Sequence, residues 1–192
     1  FICKCKLMKD FSITGTYTDL YQLAMGQVYF LNGRSEHEAV FDYFFRKIPF
    51  GGGYVVFAGL GTLLEILEGL RFTTEELEFL KENGLDPDFV AHLRDFRFRG
   101  TLYSVREGDI VFPNAPIVRV EGTMLEAQLI ETVLLNMVNL QSLVATKAAR
   151  MRSVAEGKVL SDFGLRRAQA LGGYYAARAA MVGGFNSTSN GS

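Results

Sequence analysis

A short apolar segment followed by two arginines is the part of this sequence best suited to hold an anion. In SDFGLRRAQ, residues 161–169, Phe163 precedes the adjacent Arg166 and Arg167. Arginine suits bidentate recognition of a carboxylate or phosphate, and an aromatic side chain stacks on a flat ring. Because ligands of parallel α/β proteins bind where strands end, these groups are expected at a ligand-binding edge. The alternative is that Phe163 belongs to the core and the arginines lie on the surface or pair with Asp162.

Two further segments carry groups that bind anions. Arg46 and Lys47 precede PFGGGY, whose run of glycines lets a phosphate approach backbone N–H groups. This segment lacks the spacing of a P-loop or a dinucleotide fingerprint, so a flexible turn is the alternative. Near the end of the chain, GGFNSTSN contains Thr188 and Ser189, whose hydroxyls donate hydrogen bonds to an anion. An ordinary polar loop is the alternative there.

The composition narrows the class of protein. The chain has 192 residues, 48% hydrophobic and 21% charged, with a net charge of −1, which is typical of a globular protein. This charge does not indicate a nucleic-acid partner, and no apolar run reaches the roughly 20 residues of a membrane span. Cys3 and Cys5 are poorly placed for a mutual disulfide, which favours a reducing, cytoplasmic location. His37 and His92 stand alone in the sequence, so we expect surface residues and no metal site.

The first predicted helix lies in TYTDLYQLAMGQVYFLNG. Thr16 and Asp19 have the spacing of a capping box, and Asn32-Gly33 is a stop signal. The apolar residues of this helix fall on one stripe: Leu20, Ala24 and Val28, with Tyr21 and Met25 beside it.

The elements that follow have local start and stop signals. Residues 39–45 are aromatic and β-branched and predict a strand, whereas residues 55–70 predict a helix. A capping box at Thr73 and Glu76 and the pair Asp86-Pro87 each predict the start of a further helix.

The second half of the chain changes period. FRGTLYSV and IVFPNAPIVRVEG predict antiparallel strands, with Arg119 and Glu121 on the solvated face. Residues 124–155 predict helix, with a break expected near residues 139–142 because one unbroken helix of that length is unusual.

A β-α pattern closes the sequence. KVLSDFG predicts a strand, residues 174–181 a helix and Gly183-Gly184 a turn. The order of elements predicts an α/β protein with an N-terminal domain at 1–157 and the first part of a βα barrel at 158–192.

The chain resembles the nicotinate phosphoribosyltransferase family in six segments that occur in the family's order and cover nearly everything from Tyr17 to Asn190. The segments are TDLYQLAMGQVYF, FDYFFRKIPFGGGYVVFAGL, EGDIVFPNAPIVRVEG, EAQLIETVLLNMVNLQSLVATKAAR, DFGLRRAQ and GGFNSTSN. The resemblance implies a type II phosphoribosyltransferase-like fold, in which an N-terminal α/β sandwich domain precedes an irregular βα barrel. It also implies a cytoplasmic homodimer with a shared active site.

The activity implied by the resemblance joins nicotinate to phosphoribosyl pyrophosphate (PRPP). The products are nicotinate mononucleotide, which enters NAD biosynthesis, and pyrophosphate. In the family, ATP hydrolysis assists through a phosphohistidine, and Mg²⁺ accompanies the diphosphate. That histidine follows the STSN loop in the family, so we expect it beyond Ser192 and assign no catalytic residue within the chain.

The resemblance assigns one set of residues to the pyridine ring. Tyr21 matches a tyrosine that reaches the neighbouring subunit's site and packs on the ring, and Asp19 lies beside it. Phe163 matches the second aromatic wall, and Arg166 matches the arginine near the nicotinate carboxylate.

The resemblance assigns four further residues to the phosphates and the base pocket. Arg46 matches a basic residue that contacts the PRPP phosphates across the dimer, with Lys47 next to it. Thr188 and Ser189 match the loop that lines the base pocket. A related nicotinamide-using family carries an acidic residue near Ser189, so a hydroxyl there favours an anionic substrate over an amide.

Two alternatives stay open at this stage. The family is considerably longer than this chain, so we expect a fragment that is inactive alone, and a truncated, non-catalytic product that folds or dimerises is one alternative. A phosphoribosyltransferase that uses nicotinamide or quinolinate is the other.

Overall fold

The computed structural model describes residues 13–191, so Cys3 and Cys5 lie outside the described residues. The helices within that range are α1 (Leu20–Leu31), α2 (Leu60–Gly69), α3 (Thr74–Glu82), α4 (Pro87–Leu93), α5 (Met124–Val154) and α6 (Gly172–Val182). The strands are β1 (Glu38–Tyr43), β2 (Val55–Val56), β3 (Thr101–Ser104), β4 (Ile110–Val111), β5 (Val118–Thr123), β6 (Ser161–Asp162) and β7 (Ser187–Thr188).

The strands form three small sheets. β1, β5 and β3 form an antiparallel sheet in that order, and β2 pairs antiparallel with β4. β6 and β7 form a separate parallel pair. The predicted antiparallel pairing and the two faces of β5 are confirmed, because Val118 and Val120 are buried while Arg119 is exposed and Glu121 half-buried. Arg119 lies opposite Asp42 and donates two hydrogen bonds to its carboxylate.

Helix α5 is the central element. It runs unbroken for 31 residues, about 46 Å, and begins at a capping box of Thr123 and Glu126. The predicted break near residues 139–142 is wrong. Two residues of that stretch hold the helix in tertiary contacts: the Ser142 hydroxyl bonds to the backbone of Ala58, and Gln141 is fully buried.

The predicted helix over residues 55–70 is wrong at its start. Val55 and Val56 form β2 against β4, and the Thr146 hydroxyl on α5 accepts the Val56 N–H at 2.9 Å. The chain then turns at Gly59, whose φ of 106° is left-handed, and α2 begins one residue later. A Cβ on Gly59 would lie 2.7 Å from the Met137 carbonyl oxygen, so glycine is required where α5 passes.

Helix α1 also differs from its prediction. It begins at Leu20, so Asp19 is the N-cap residue and makes no side-chain capping bond; the predicted Thr16–Asp19 capping box is wrong. The buried face consists of Gln22, Leu23 and Gly26 and packs on α4 and α5. The predicted apolar stripe therefore faces solvent, where the exposed residues are Leu20, Tyr21, Ala24, Met25, Val28 and Leu31.

The caps predicted for α3 and α4 are confirmed. Thr73 and Glu76 form a reciprocal capping box, and the Asp86 carboxylate accepts the backbone N–H groups of Asp88 and Phe89. These bonds satisfy donors that a helix leaves free at its first turn, which is why such local sequence signals are reliable.

The last elements pack on the C-terminal half of α5. The strand predicted over residues 158–164 is confined to Ser161–Asp162, and α6 runs from Gly172 to Val182 before a turn at Gly183 and Gly184. Gly183 lies against Ala145 and Ala148, where a Cβ would clash with the α5 backbone. Small residues therefore let α6 lie close to α5. The domain boundary at residue 157 stays a prediction.

Candidate functional site

The carboxyl ends of β6 and β7 bring three predicted site residues, Phe163, Thr188 and Ser189, to one edge. In the parallel register, Asp162 pairs with Thr188, and the Ser189 N–H donates to the Asp162 carbonyl at 2.8 Å. Phe163 therefore follows β6 at the point where Ser189 follows β7. This is the edge at which ligands of parallel α/β sheets bind.

Phe163 and the two arginines that follow it face outward. The Phe163 side chain is 63% exposed, so the alternative that it belongs to the core is wrong. Arg166 and Arg167 lie on a one-turn 3₁₀ helix, Leu165–Arg167, and both are exposed. Arg167 donates from Nη1 to the Phe163 carbonyl at 3.3 Å. Within residues 13–191 neither arginine forms an ion pair, so the alternative of a pair with Asp162 is also wrong.

The Asp162 carboxylate accepts two neutral donors. Oδ1 accepts the Gly164 N–H at 3.1 Å, and Oδ2 accepts the Thr188 hydroxyl at 3.2 Å. The Thr188 oxygen in turn accepts the Asn190 N–H at 3.2 Å. These bonds connect the segment after β6 with the loop after β7.

Asn186 ties the same edge to the end of α5. Its side-chain oxygen accepts the Leu160 N–H at 3.0 Å and a guanidinium N–H of Arg152 at 3.1 Å. The Asn186 N–H donates to the Leu160 carbonyl at 2.9 Å. Asn186 thus sets the start of both short strands relative to the long helix.

Asp19 and Tyr21 lie at the start of α1. The Tyr21 side chain is 54% exposed, and its hydroxyl accepts a hydrogen bond from the Gln22 amide at 3.0 Å. Gln22 is fully buried and also donates to Glu131 at 2.8 Å. Asp19 faces Thr132 on α5 at 3.4 Å. The Tyr21 ring is therefore presented to solvent from a base fixed on α5.

Arg46 and Lys47 are exposed in the segment that follows β1. Arg46 lines a cleft of about 650 Å³ between β1 and α5, with Tyr43 and Asn139 on its wall. The Tyr43 hydroxyl donates to Asn139 at 2.8 Å, and burial raises the pKa of Tyr43 to about 12.

The glycine-rich turn after Lys47 contacts the second half of α5. Phe50 has a left-handed φ of 59°, and its carbonyl accepts a guanidinium N–H of Arg150 at 3.0 Å. The Lys147 ammonium lies 5.9 Å from the centre of the Phe50 ring. Arg150 and Lys147 thus hold the turn against α5, and its role in binding phosphate stays a prediction.

The predicted site residues form separate groups within one chain. The side chains around α1 bond to residues 128–136 of α5, whereas Asn186 bonds at Arg152, near the end of the same helix. Within residues 13–191 no hydrogen bond, aromatic pair or cleft joins Tyr21 to Phe163. The structure therefore brings the segments that contain Phe163, Thr188 and Ser189 together, with Arg166 three residues after Phe163, and shows no such link to Tyr21 within residues 13–191.

A partly buried ion pair lies between the candidate edge and the rest of the protein, and sequence reasoning missed it. Arg178 on α6 donates to both carboxylate oxygens of Glu107, at 2.8 and 2.6 Å, and Glu107 also accepts the Gly59 N–H. The hydrogen bond from Arg178 holds the pKa of Glu107 below its ordinary value. A single arginine in the otherwise apolar sequence GGYYAARAAMV is the signal that could have revealed it.

Metal-binding groups are sparse in the part of the chain that the structure describes. No cluster of three or more His, Cys, Asp or Glu side chains suitable for a metal ion occurs between residues 13 and 191. His37 and His92 are both exposed, as predicted, and His92 lies 3.7 Å from Glu36.

One helix passes a length and composition test for a membrane span. This helix is α5, and 56% of its most apolar window is buried inside the protein. Core helices of globular proteins pass the same test, and α5 packs against α1, α2, α6, β1, β2 and β5.

Comparison with known proteins gives consistent matches. Residues 16–139 match the family model described as the nicotinate phosphoribosyltransferase (NAPRTase) N-terminal domain. The chain is 49% identical over 184 residues to a nicotinate phosphoribosyltransferase of Bacillus subtilis, covering 95% of this chain and 37% of that protein. It is 45% identical to one of Dictyostelium discoideum, covering 97% of this chain and 32% of that protein.

Solved structures agree with the sequence matches. The fold superposes on human nicotinic acid phosphoribosyltransferase with a TM-score of 0.84 and 41% identity, over 90% of this chain and 36% of that one. A nicotinate-nucleotide pyrophosphorylase from Pyrococcus furiosus, at 23% identity, shares the fold with a TM-score of 0.72. The predicted fold class is confirmed, and the chain spans between 32% and 37% of the two curated relatives' lengths. The chain belongs to the nicotinate phosphoribosyltransferase family and corresponds to its N-terminal part.

Proposed function

We propose that the protein containing this chain is an enzyme that forms nicotinate mononucleotide and pyrophosphate from nicotinate and PRPP. The observation that carries this function is the edge of the β6–β7 pair. There Phe163 presents an exposed aromatic ring, Arg166 forms no ion pair within residues 13–191, and Ser189 carries an exposed hydroxyl on the adjoining segment. A planar ring with one carboxylate is complementary to these three groups.

The charge of the edge favours an acid over an amide. Arg166 would bind the nicotinate carboxylate by charge-assisted hydrogen bonds, whereas a neutral amide would leave the guanidinium without its counter-charge. Within residues 13–191 the Asp162 carboxylate accepts the Gly164 N–H and the Thr188 hydroxyl and forms no ion pair with Arg166, which leaves that guanidinium available to a substrate carboxylate. The curated relatives carry the name nicotinate phosphoribosyltransferase, which supports the same choice.

The phosphates of PRPP would contact Arg46, Lys47 and the glycine-rich turn. In the transition state, positive charge develops on the ribose and negative charge on the departing diphosphate, so fixed cations lower the barrier. Holding the ring nitrogen next to the ribose carbon lowers the barrier further, because the reacting atoms are already in position. The described residues offer no cluster for a metal ion, so Mg²⁺ would arrive on the PRPP diphosphate.

A homodimer with a shared site would bring the separate groups together. Tyr21 does not contact Phe163 within one chain, and the exposed apolar stripe on α1 surrounds Tyr21. Burying this stripe against a second copy would remove apolar surface from water and place Tyr21 over the partner's nicotinate. Asp19, which lies beside Tyr21, would lie at the same interface.

Three parts of the function rest on the family resemblance. ATP hydrolysis would be coupled to product formation. The test is the number of ADP molecules formed for each mononucleotide. Dimerisation predicts a sedimentation mass twice that of one chain. Val28→Glu places a charge on the exposed stripe of α1 and should lower the measured mass towards that of one chain. A cytoplasmic location predicts recovery in the soluble fraction of lysed cells.

The central experiment uses the longest polypeptide that the gene encodes. This protein is incubated with PRPP, ATP and Mg²⁺ and with nicotinate, nicotinamide or quinolinate in separate tubes, and mononucleotide is detected by mass. We expect product from nicotinate alone. The 192-residue chain runs in parallel, where no product is expected. Turnover of nicotinamide at the same rate, or no product from any base by a folded protein, would contradict the proposed function.

Adjacent arginines offer a matched pair of variants. Arg166→Ala should raise the KM for nicotinate by about 100-fold, the factor expected for a lost charge-assisted pair. Arg167→Ala should change it little, because the Arg167 guanidinium is held on the Phe163 carbonyl. Equal effects of the two substitutions would contradict the role assigned to Arg166.

A further inference from the structure

Asp162 is the residue that connects the two sides of the candidate base pocket. Its Oδ1 holds the Gly164 N–H, which fixes the backbone on the far side of Phe163, and its Oδ2 holds the Thr188 hydroxyl. Its carbonyl accepts the Ser189 N–H at 2.8 Å. Three acceptor oxygens of one residue therefore fix both the aromatic segment and the hydroxyl loop.

The Thr188 hydroxyl is fully engaged by these contacts. A hydroxyl has one proton, and that of Thr188 points to Asp162 while its oxygen accepts the Asn190 N–H. Donation from Thr188 to a substrate carboxylate would break the bond to Asp162. Ser189 is different: its N–H is bonded, but its exposed hydroxyl makes no hydrogen bond to any of residues 13–191. Ser189 is therefore the hydroxyl that is free to meet a ligand.

The strands alone do not hold this geometry. β6 and β7 pair over only two residues each, and a two-stranded sheet is at best marginally stable in water. Side-chain bonds across the pair consequently decide how far apart Phe163 and Ser189 lie. A second bond, from the Ser187 hydroxyl to the Ser161 hydroxyl at 2.9 Å, crosses the same pair one residue earlier.

On the basis of the function proposed above, we propose that Asp162 is a positioning residue for the nicotinate pocket. Its carboxylate orders Phe163 and the Thr188–Ser189 loop and is itself satisfied by neutral donors. Arg166 and the Ser189 hydroxyl, which bond to no side chain among residues 13–191, then face the substrate carboxylate. Thr188 acts through Asp162 and does not touch the substrate, which reassigns one residue of the predicted pocket.

Steady-state kinetics on the longest polypeptide that the gene encodes tests this role. Thr188→Val keeps the shape and removes the hydroxyl, and we expect the KM for nicotinate to rise by about 10- to 100-fold, the factor for one lost bond to a charged group. The KM for PRPP should stay within about twofold, since a local change at this edge leaves the phosphate contacts intact. Thr188→Ser should restore the wild-type KM, and Ser187→Ala, which removes the cross-strand bond one residue farther from the pocket, should raise it less than Thr188→Val does.

A double substitution separates positioning from direct binding. Asp162→Asn should raise the nicotinate KM like Thr188→Val, and the two together should cost no more than either alone, because both break one bond. A rise with Thr188→Val but not with Asp162→Asn would overturn the inference, since Thr188 would then bind substrate itself. Equal rises in both KM values, or wild-type kinetics from Thr188→Val, would also overturn it.

Hydrogen exchange distinguishes a failure of this inference from a failure of the proposed function. If the wild-type protein makes no mononucleotide, the proposed function fails. The positioning bonds are then measured by exchange of the Gly164 and Ser189 amides. Faster exchange in Thr188→Val than in Ser187→Ala would support the bridge through Asp162, and equal exchange in the two variants would overturn it.

Discussion

The ion pair between Glu107 and Arg178 should stabilise the fold more than any other charged pair described above. Glu107 accepts two bonds from Arg178 and one from the Gly59 N–H at the start of α2, so one carboxylate connects α2, α6 and the turn before β4. The Glu107 side chain is 21% exposed, and the Arg178 side chain is 39% exposed. Glu107→Gln keeps the size of the side chain and removes the charge that all of these donors share.

The expected cost follows from that environment. Breaking a fully buried pair costs about 3–5 kcal/mol, and an exposed pair about 0–1 kcal/mol. Because this pair is partly exposed, Glu107→Gln should lower the free energy of unfolding by an intermediate amount, about 2–3 kcal/mol. For a chain of this length, that loss lowers Tm by about 4–12 °C. The measurement is urea unfolding, because guanidinium would screen the pair.

A double-mutant cycle with Arg178→Met isolates the interaction. We expect a coupling free energy of about 1–2 kcal/mol. Asp42→Asn with Arg119→Met is the matched control: that pair is also bidentate but exposed on the sheet, so its coupling should be near the error of the measurement. A coupling at Glu107 no larger than at Asp42 would refute the reasoning.

The pH dependence gives an independent check. The pKa of Glu107 is lowered, chiefly by the hydrogen bond from Arg178, so its contribution is complete above the ordinary glutamate pKa of 4.5. The contribution is lost as pH falls through the lower pKa of the folded state. The gap in unfolding free energy between wild type and Glu107→Gln should therefore be constant near neutrality and shrink below about pH 4.5.

Three further outcomes are expected. Gly59→Ala should lower the unfolding free energy by about 2–4 kcal/mol in urea, because alanine meets both a left-handed φ and the Met137 carbonyl; Gly84→Ala, also at positive φ but in open space, should cost less. In an ultraviolet absorbance titration Tyr43 should ionise near pH 12, and stability should fall as pH rises from 10 to 12, because the unfolded state ionises first. Thr123→Ala removes the cap of α5 and should lower the unfolding free energy by about 1 kcal/mol in the same urea assay. A loss smaller than that caused by the exposed control Thr101→Ala would contradict the capping role.

Local chemistry was readable from the sequence, and tertiary contacts were not. The capping residues Thr73, Glu76 and Asp86 bond within four residues of themselves, so their sequence spacing carries the information. Val55 and Val56 bond to β4 more than fifty residues away, and their periodicity gives no sign of that partner. Tertiary pairing overrode a helical pattern there.

Helix α5 shows that the burial of polar residues is also hard to predict from the sequence. The break was expected because of the length of the helix, yet Gln141 and Ser142, which lie where it was expected, are buried against the segment that precedes and begins α2. The sequence showed an apolar stripe on α1 but not which face packs inside, and the buried residues include Gln22, whose amide donates to Glu131 on α5. Burial of a polar side chain depends on a partner that a single segment does not show.

At the candidate site, the sequence identified residue types and the structure supplied their grouping. The family resemblance assigned Phe163, Arg166 and Ser189 to one pocket, and the parallel pair brings the segments that contain Phe163 and Ser189 to one edge. The engagement of Thr188 by Asp162 was not predictable, since it depends on the register of two very short strands. The roles of Tyr21 and Arg46 depend on a second subunit and stay predictions.

The central position of α5 has a consequence for how the chain folds during synthesis. The buried residues of α1, α2 and α4 pack against side chains between Leu125 and Val138, so residues 13–123 cannot complete their core before α5 has been made. At about 5–20 residues per second, translation of its 31 residues takes about 2–6 seconds. During that interval the nascent chain exposes apolar surface without its partner. Slowing elongation before α5 should therefore increase chaperone binding and aggregation, while slowing it after α5 should not.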